Sequence, residues 1–141
     1  MPQSKPPVEA SLPERFSHAR NVQANAVMED YVELISDLMA EFGEARIADI
    51  AQRLGVAHPT ATKAVARLKR EGLAVSRPYR GVFLTDAGAA LADKVRARHR
   101  TLVDLLVAVG VPPEVAELDA EGMEHHVSDT ALAAFRAFLE K

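Results

Sequence analysis

The chain has 141 residues, 48% of them hydrophobic, a formal net charge of −3 and no Cys. That length allows one large domain or two small ones with a sizeable core, and the missing thiols exclude disulfides, thiolate metal sites and thiol catalysis together. No apolar run approaches the ~20 residues that cross a bilayer, and the N-terminus lacks the apolar core of a signal peptide, so a cytoplasmic protein with no membrane partner is expected.

The stretch Met1–Pro13 holds four of the eight prolines in a polar mix, and residues 1–12 read as a disordered arm. A helix follows from about Pro13 to Phe42. Val27, Tyr31, Leu34, Leu38 and Phe42 form its apolar stripe, and Gly43 sits where a C-terminal cap belongs. A short helix over Ile47–Leu54 is turned by Gly55. Pro59 opens a third helix in its first turn, where proline is tolerated, and Gly72 closes it. Two β-prone runs, Leu73–Arg77 and Val82–Thr85, are joined across Pro78-Tyr79-Arg80-Gly81 and predict a hairpin. Thr85 can cap a long helix from Asp86 to about Val109, with Leu91, Val95, Leu102, Leu106 and Val109 on one side. Pro112-Pro113 starts another helix, and Ser128 caps a last one with Leu132, Phe135 and Leu139 inward.

The overall charge conceals a strong asymmetry. Residues 43–90 carry 8 Lys/Arg against 4 Asp/Glu, while residues 1–42 carry 3 against 7 and residues 91–141 carry 6 against 9. A basic middle between acidic flanks fits a nucleic-acid face beside metal-binding segments. Within the basic part, Arg46 to Val56 has the logic of a helix-turn-helix. Ala51 is small where two helices must cross, and Gly55 can take the left-handed turn. The next helix would lie in the major groove, its core stripe being Ala61, Val65 and Leu68. Thr60, Lys63 and Arg67 share another face. Pro59, Thr60 and His58 are expected near bases, with Thr62, Lys63 and Arg67 divided between bases and phosphates. On the hairpin, Arg77, Tyr79 and Arg80 are candidates for backbone contact. The same cations could simply solvate an ordinary three-helix core, but a hairpin placed directly after the basic helix favours DNA.

Two clusters stand out beside this element: Asp30-x-x-Glu33 and Glu121-x-x-Glu124-His125. Each has helical spacing and so offers its side chains to one point. With His99, which lies between Val95 and Leu102 on the apolar side of its helix, they supply four carboxylates and two imidazoles. This oxygen-rich set suits a hard to borderline divalent metal. No Lys or Arg occurs between Glu114 and Arg136 to balance the acids. Asp30 flanks the first helix's stripe, whereas Glu33 lies roughly 140° from its centre at about 100° per residue. Glu33 can therefore be a ligand only if a second domain packs there. His126 is rotated off the shared face and is left out.

Met28-Glu29-Asp30-Tyr31-Val32-Glu33, Arg80-Gly81-Val82-Phe83-Leu84-Thr85 and Asp119-Ala120-Glu121-Gly122-Met123-Glu124-His125-His126 together resemble the DtxR/MntR family of metal-dependent transcriptional regulators, over residues 28–138. The resemblance implies metal ligands at Asp30, Glu33, His99, Glu121, Glu124 and His125. It implies Mn(II) as the cofactor, with two ions per subunit plausible because carboxylates bridge, and with Fe, Co, Zn and Cd as ions that bind in vitro. Iron-responsive relatives typically carry methionine in place of Asp30, and many have a third, SH3-like domain for which a chain ending at Lys141 leaves no room. Both departures favour manganese. The implied assembly is a homodimer on palindromic operator DNA, repressing metal-uptake genes, with no organic substrate.

The expected fold is mainly α, with residues 13–85 forming an N-terminal helix and winged helix-turn-helix DNA-binding domain. Residues 86–141 would form an all-helical dimerisation and metal-binding domain. Two other classes compete. A di-metal carboxylate enzyme would usually show Glu-x-x-His twice, and a basic winged helix is hard to explain there. A metal-independent winged-helix factor of the MarR type would leave the acidic cluster unexplained, and an aromatic effector pocket is hard to build from 5% aromatic residues. The chain is therefore read as a regulator and not an enzyme.

Overall fold

A computed structural model describes residues 11–141, so the predicted arm falls, as far as residue 10, outside the described residues. Six helices and one hairpin follow in chain order: α1 (Leu12–Phe42), α2 (Ile47–Leu54), α3 (His58–Arg70), β1 (Ala74–Arg77), β2 (Gly81–Leu84), α4 (Asp86–Ala108), α5 (Pro113–Met123) and α6 (Asp129–Leu139). They form two compact units. One is Val27–Lys94; the other joins residues 11–26 to Val95–Lys141, so the division falls inside α1 and inside α4.

The unit Val27–Lys94 is built around α1, α2 and α3. Gly55 ends α2 in the left-handed conformation (φ 69°), and the Val56 amide returns to the Ala51 carbonyl at 3.0 Å. A glycine meets that conformation without the penalty a β-carbon would incur. Ala51 is buried at the helix crossing, and α3 buries Ala61, Val65 and Leu68, the stripe expected from their spacing. The α1 stripe differs from expectation. Val27 and Phe42 are 40% and 59% exposed, while Met28, Val32 and Ile35 enter the core beside Tyr31 and Leu38. Two adjacent rows of α1 are apolar, and periodicity alone does not choose between them. Phe42 instead lies under the Arg53 guanidinium, 5.8 Å from the ring centroid.

β1 and β2 pair antiparallel with Ala74 opposite Leu84 and Arg77 opposite Gly81. β1 starts one residue later than the predicted run Leu73–Arg77, and β2 lies one residue earlier than the predicted Val82–Thr85, ending at Leu84 because Thr85 is taken by a cap. Its hydroxyl accepts from the Gly88 amide at 3.1 Å and donates to the Gly72 carbonyl at 2.7 Å. The start of α4 passes so close to the α3–β1 connection that a β-carbon on Gly88 would overlap the Leu73 carbonyl oxygen. Ala45, between α1 and α2, exchanges backbone bonds of 2.7 and 3.2 Å with Val82 and ties the hairpin down. The hairpin turn closes through Arg80 N–H to the Arg77 carbonyl at 3.1 Å. Pro78 takes its second position, and Tyr79, with φ 62°, takes the third, the left-handed place of a type II turn that ordinarily belongs to glycine. Tyr79 is 100% exposed.

In the other unit Leu102 of α4, Ala120 of α5 and Leu132 of α6 form the centre of a second core, covered by Val103, Met123, Val127 and Phe135. Val109 does not continue the α4 stripe: the helix stops at Ala108, Gly110 turns the chain at φ 107°, and Val109 is exposed. The Ser128 hydroxyl caps α6 by accepting from the Ala131 amide at 3.1 Å, as its position predicts.

Candidate metal centre and nucleic-acid interface

On α5, Ala116 and Ala120, one turn apart, are fully buried, and Ala120 shares a core with Leu102 of α4. Glu117, Glu121 and Glu124 are spaced four and three apart and so share one side of α5 and its continuation. α5 itself ends at Met123; Glu124 keeps right-handed helical angles as its cap residue, and His125 follows in a turn. The expected helical cluster is thus a helix end plus a turn. The Arg98 guanidinium donates to the Glu124 carbonyl at 3.4 Å and holds that turn to α4.

Glu124 is the centre of the arrangement. Its carboxylate is fully buried; Oε2 lies 2.8 Å from His99 Nδ1, and Oε1 lies 3.5 Å from His125 Nε2. Glu121 Oε1 is 3.8 Å from the same His99 nitrogen. One ligand atom each from His99, Glu121 and Glu124 falls within 4.8 Å of the others. The other edge of the imidazole, Nε2, meets Glu117 Oε2 at 2.7 Å. Burial alone would lower the His99 pKa, but hydrogen bonds to Glu117 and Glu124 and the charges of Glu124 and Glu121 outweigh it and raise it.

These groups suit a cation on physical grounds. Glu121 and Glu124 stand at the C-terminal end of α5, where the helix dipole is already negative, and no basic residue stands in its last turn. A buried carboxylate between two imidazoles is costly unless positive charge offsets it. Oxygen and nitrogen donors without sulfur match a hard or borderline divalent ion. In the other unit, Asp30 is exposed and Glu33 half-buried on α1, one turn apart and both off the row that the core uses. His126 is exposed.

On the helix-turn-helix, His58, Pro59, Thr60, Thr62 and Lys63 of α3 are all exposed. The Thr62 hydroxyl donates back to the His58 carbonyl at 3.0 Å. Arg67 is half-buried and pairs with Glu71 at 2.7 Å. The hairpin arginines are held in place: the Arg77 and Arg80 guanidiniums lie 4.7 and 5.5 Å from the centroid of the Phe83 ring. Glu44 bridges Arg46 at 2.7 Å and Arg80 at 3.1 Å. The Arg80 hydrogen bond, with help from Arg46, holds the Glu44 carboxyl below its usual range. Side chains fixed before binding lose less entropy when they meet a phosphate.

Sequence reasoning missed Glu117 and Glu44. The i, i+4, i+7 spacing of Glu117, Glu121 and Glu124 carried a signal for the first. For the second, Arg46 lay two residues away, but its other partner Arg80 is 36 residues away and carried no local signal.

Comparison with known proteins matches residues 24–82 to the model of the iron dependent repressor N-terminal DNA binding domain and residues 85–141 to that of the iron dependent repressor metal binding and dimerisation domain. The transcriptional regulator MntR of Escherichia coli O6:H1 (strain CFT073) is 51% identical over 128 residues, which cover 91% of this chain and 83% of that protein. MntR of Salmonella typhimurium (strain LT2) is 49% identical over 128 residues, covering 91% of this chain and 82% of its own length. Among solved structures, a manganese-dependent transcriptional repressor in complex with manganese superposes with a TM-score of 0.68 at 31% identity, covering 79% of this chain and 51% of that one.

Proposed function

Because the chain belongs to the iron-dependent repressor family, with its DNA-binding domain and its metal-binding and dimerisation domain both matched, we propose that it is a manganese-responsive regulator whose operator affinity rises when Mn(II) is bound. Membership makes it a metal-dependent DNA-binding repressor and not an enzyme. Within that frame, residues 13–85 carry DNA recognition and residues 86–141 carry dimerisation and most of the metal site. A palindromic operator matches a two-fold dimer. The setting is cytoplasmic; among the described residues no helix is long and apolar enough to cross a membrane.

The residues that would hold the metal are Asp30, Glu33, His99, Glu121, Glu124 and His125, a carboxylate-rich set with the capacity for two ions per subunit. The observation that carries this reading is the fully buried Glu124 carboxylate between the imidazoles of His99 and His125. Bound Mn(II) supplies the positive charge that lets these anions share one point. A set drawn from both α1 and the α4–α5 region makes the placement of the DNA-reading helix depend on the site being filled, and only a difference in affinity between the two geometries is needed. The usual coupling of about 1–3 kcal/mol corresponds to about 5–150-fold in operator affinity. His58, Pro59, Thr60, Thr62, Lys63 and Arg67 would then face the groove, with Arg77, Tyr79 and Arg80 on the backbone.

The relatives named for MntR and the repressor solved with manganese support Mn(II) over iron, as does a donor set without sulfur. The test is operator binding by the metal-stripped protein at fixed salt, titrated with Mn²⁺, Fe²⁺ and Zn²⁺. Tightening by Mn²⁺ of at least about 5-fold, lost in Glu124→Ala, is expected. Tight binding indifferent to metal would overturn the proposal and favour a metal-independent factor.

A further inference from the structure

The His99 ring is gripped on both edges. Its Nδ1 faces Glu124 at 2.8 Å and Glu121 at 3.8 Å, whereas Nε2 faces Glu117 at 2.7 Å. A neutral imidazole carries one hydrogen. The nitrogen that coordinates a metal must be bare, so the other must hold the proton, and whatever accepts that proton decides which tautomer is present. The ligand atoms of His99, Glu121 and Glu124 converge on the Nδ1 side, which leaves Nε2 as the protonated edge and Glu117 as its acceptor.

Glu117 stands one turn before Glu121 on α5 and is outside the six-residue ligand set. We infer that Glu117 is a positioning residue: its carboxylate holds His99 in the Nε2–H tautomer and fixes the ring plane, so that Nδ1 is presented bare to the ion. The inference rests on the ligand reading above and extends it by one residue. Its side chain is 61% exposed, so water competes for the contact, and the effect belongs at the lower end of the 10–100-fold range found for groups that orient metal ligands, about 10-fold in metal affinity.

The experiment uses the full chain, stripped of metal. Mn²⁺ binding is measured by the paramagnetic resonance of the free ion for the unaltered protein, Glu117→Ala, Glu117→Gln and Glu124→Ala, and the Nε2–H hydrogen bond of His99 is read from its ring ¹⁵N and ¹H shifts in the protein loaded with diamagnetic Zn²⁺. Glu117→Ala should weaken Mn²⁺ binding about 10-fold and move the His99 Nε2–H resonance. Glu117→Gln, whose amide oxygen still accepts the Nε2 hydrogen, should move that resonance less and lose less affinity. Unchanged affinity and an unmoved Nε2–H resonance in Glu117→Ala, with Glu124→Ala still defective, would overturn the positioning role. Loss of a whole equivalent of metal in Glu117→Ala would also overturn it, by making Glu117 a ligand. If Glu124→Ala itself binds Mn²⁺ as the unaltered protein does, it is the ligand reading beneath the inference that fails.

Discussion

Two glycines on helices, Gly88 and Gly122, should respond in opposite directions to the same substitution. Alanine in place of glycine inside an exposed helix ordinarily gains about 1 kcal/mol. At Gly122 of α5 an added β-carbon meets nothing within 4 Å, so Gly122→Ala should keep that gain. At Gly88 the methyl would overlap the Leu73 carbonyl oxygen and come within 3.1 Å of the Leu73 carbonyl carbon and of Leu84 Cδ2. Forcing extra volume into a packed place costs about 1–3 kcal/mol. The upper end applies because the obstacle is backbone, fixed by the Leu73 N–H donating to the Leu68 carbonyl at 2.9 Å and by the Leu73 carbonyl accepting from the Thr85 N–H at 3.0 Å. Subtracting the gain of about 1 leaves a net loss of about 2 kcal/mol for Gly88→Ala. For a chain of this size that is a fall of roughly 7 °C in Tm, against a rise of roughly 3 °C for Gly122→Ala. Thermal unfolding of both variants, metal-stripped and at one protein concentration, checks the pair. Shifts of the same sign would show that the close passage of α4 over Leu73 is not tight in solution.

Lys63→Ala should weaken operator binding and reduce the salt slope by about 2, one lost phosphate contact from each protomer of the dimer, while metal affinity of the free protein stays unchanged; calorimetry and salt-titrated anisotropy read the two. Asp30→Met should weaken the manganese response in operator binding and relax selectivity toward iron, and an unchanged metal profile would count against a ligand role for Asp30. Thr85→Ala removes both the cap on Gly88 and the bond to Gly72, and should cost about 1–2 kcal/mol in urea unfolding.

Features governed by local rules were legible in the sequence. Gly55 turns the helix-turn-helix, Pro59 opens α3, Thr85 and Ser128 cap α4 and α6, and the Ala61-Val65-Leu68 row is buried, because each depends on residues within a turn or two. The α1 stripe was misread because Met28, Val32 and Ile35 offer an apolar row next to the one chosen, and only packing partners far along the chain decide which is used. In the candidate site, the spacing of Glu121 and Glu124 and the inward place of His99 were visible. The end of α5 at Met123 was not, and neither was the grip of Glu117 on the second imidazole nitrogen. Which edge of a ring meets which carboxylate depends on how two helices pack, and that is set by residues far apart in the chain.

The left-handed backbone of Tyr79 has a consequence for how this chain can change over time. A β-carbon in that conformation costs on the order of 1 kcal/mol, and a fully exposed ring recovers nothing from packing. Folding alone would favour glycine there. If Tyr79 contacts the operator backbone as proposed, stability and recognition pull in opposite directions at this one position. A lineage released from its operator should drift to glycine or asparagine at the hairpin tip early, while the rest of the helix-turn-helix, held by its own core, stays as it is.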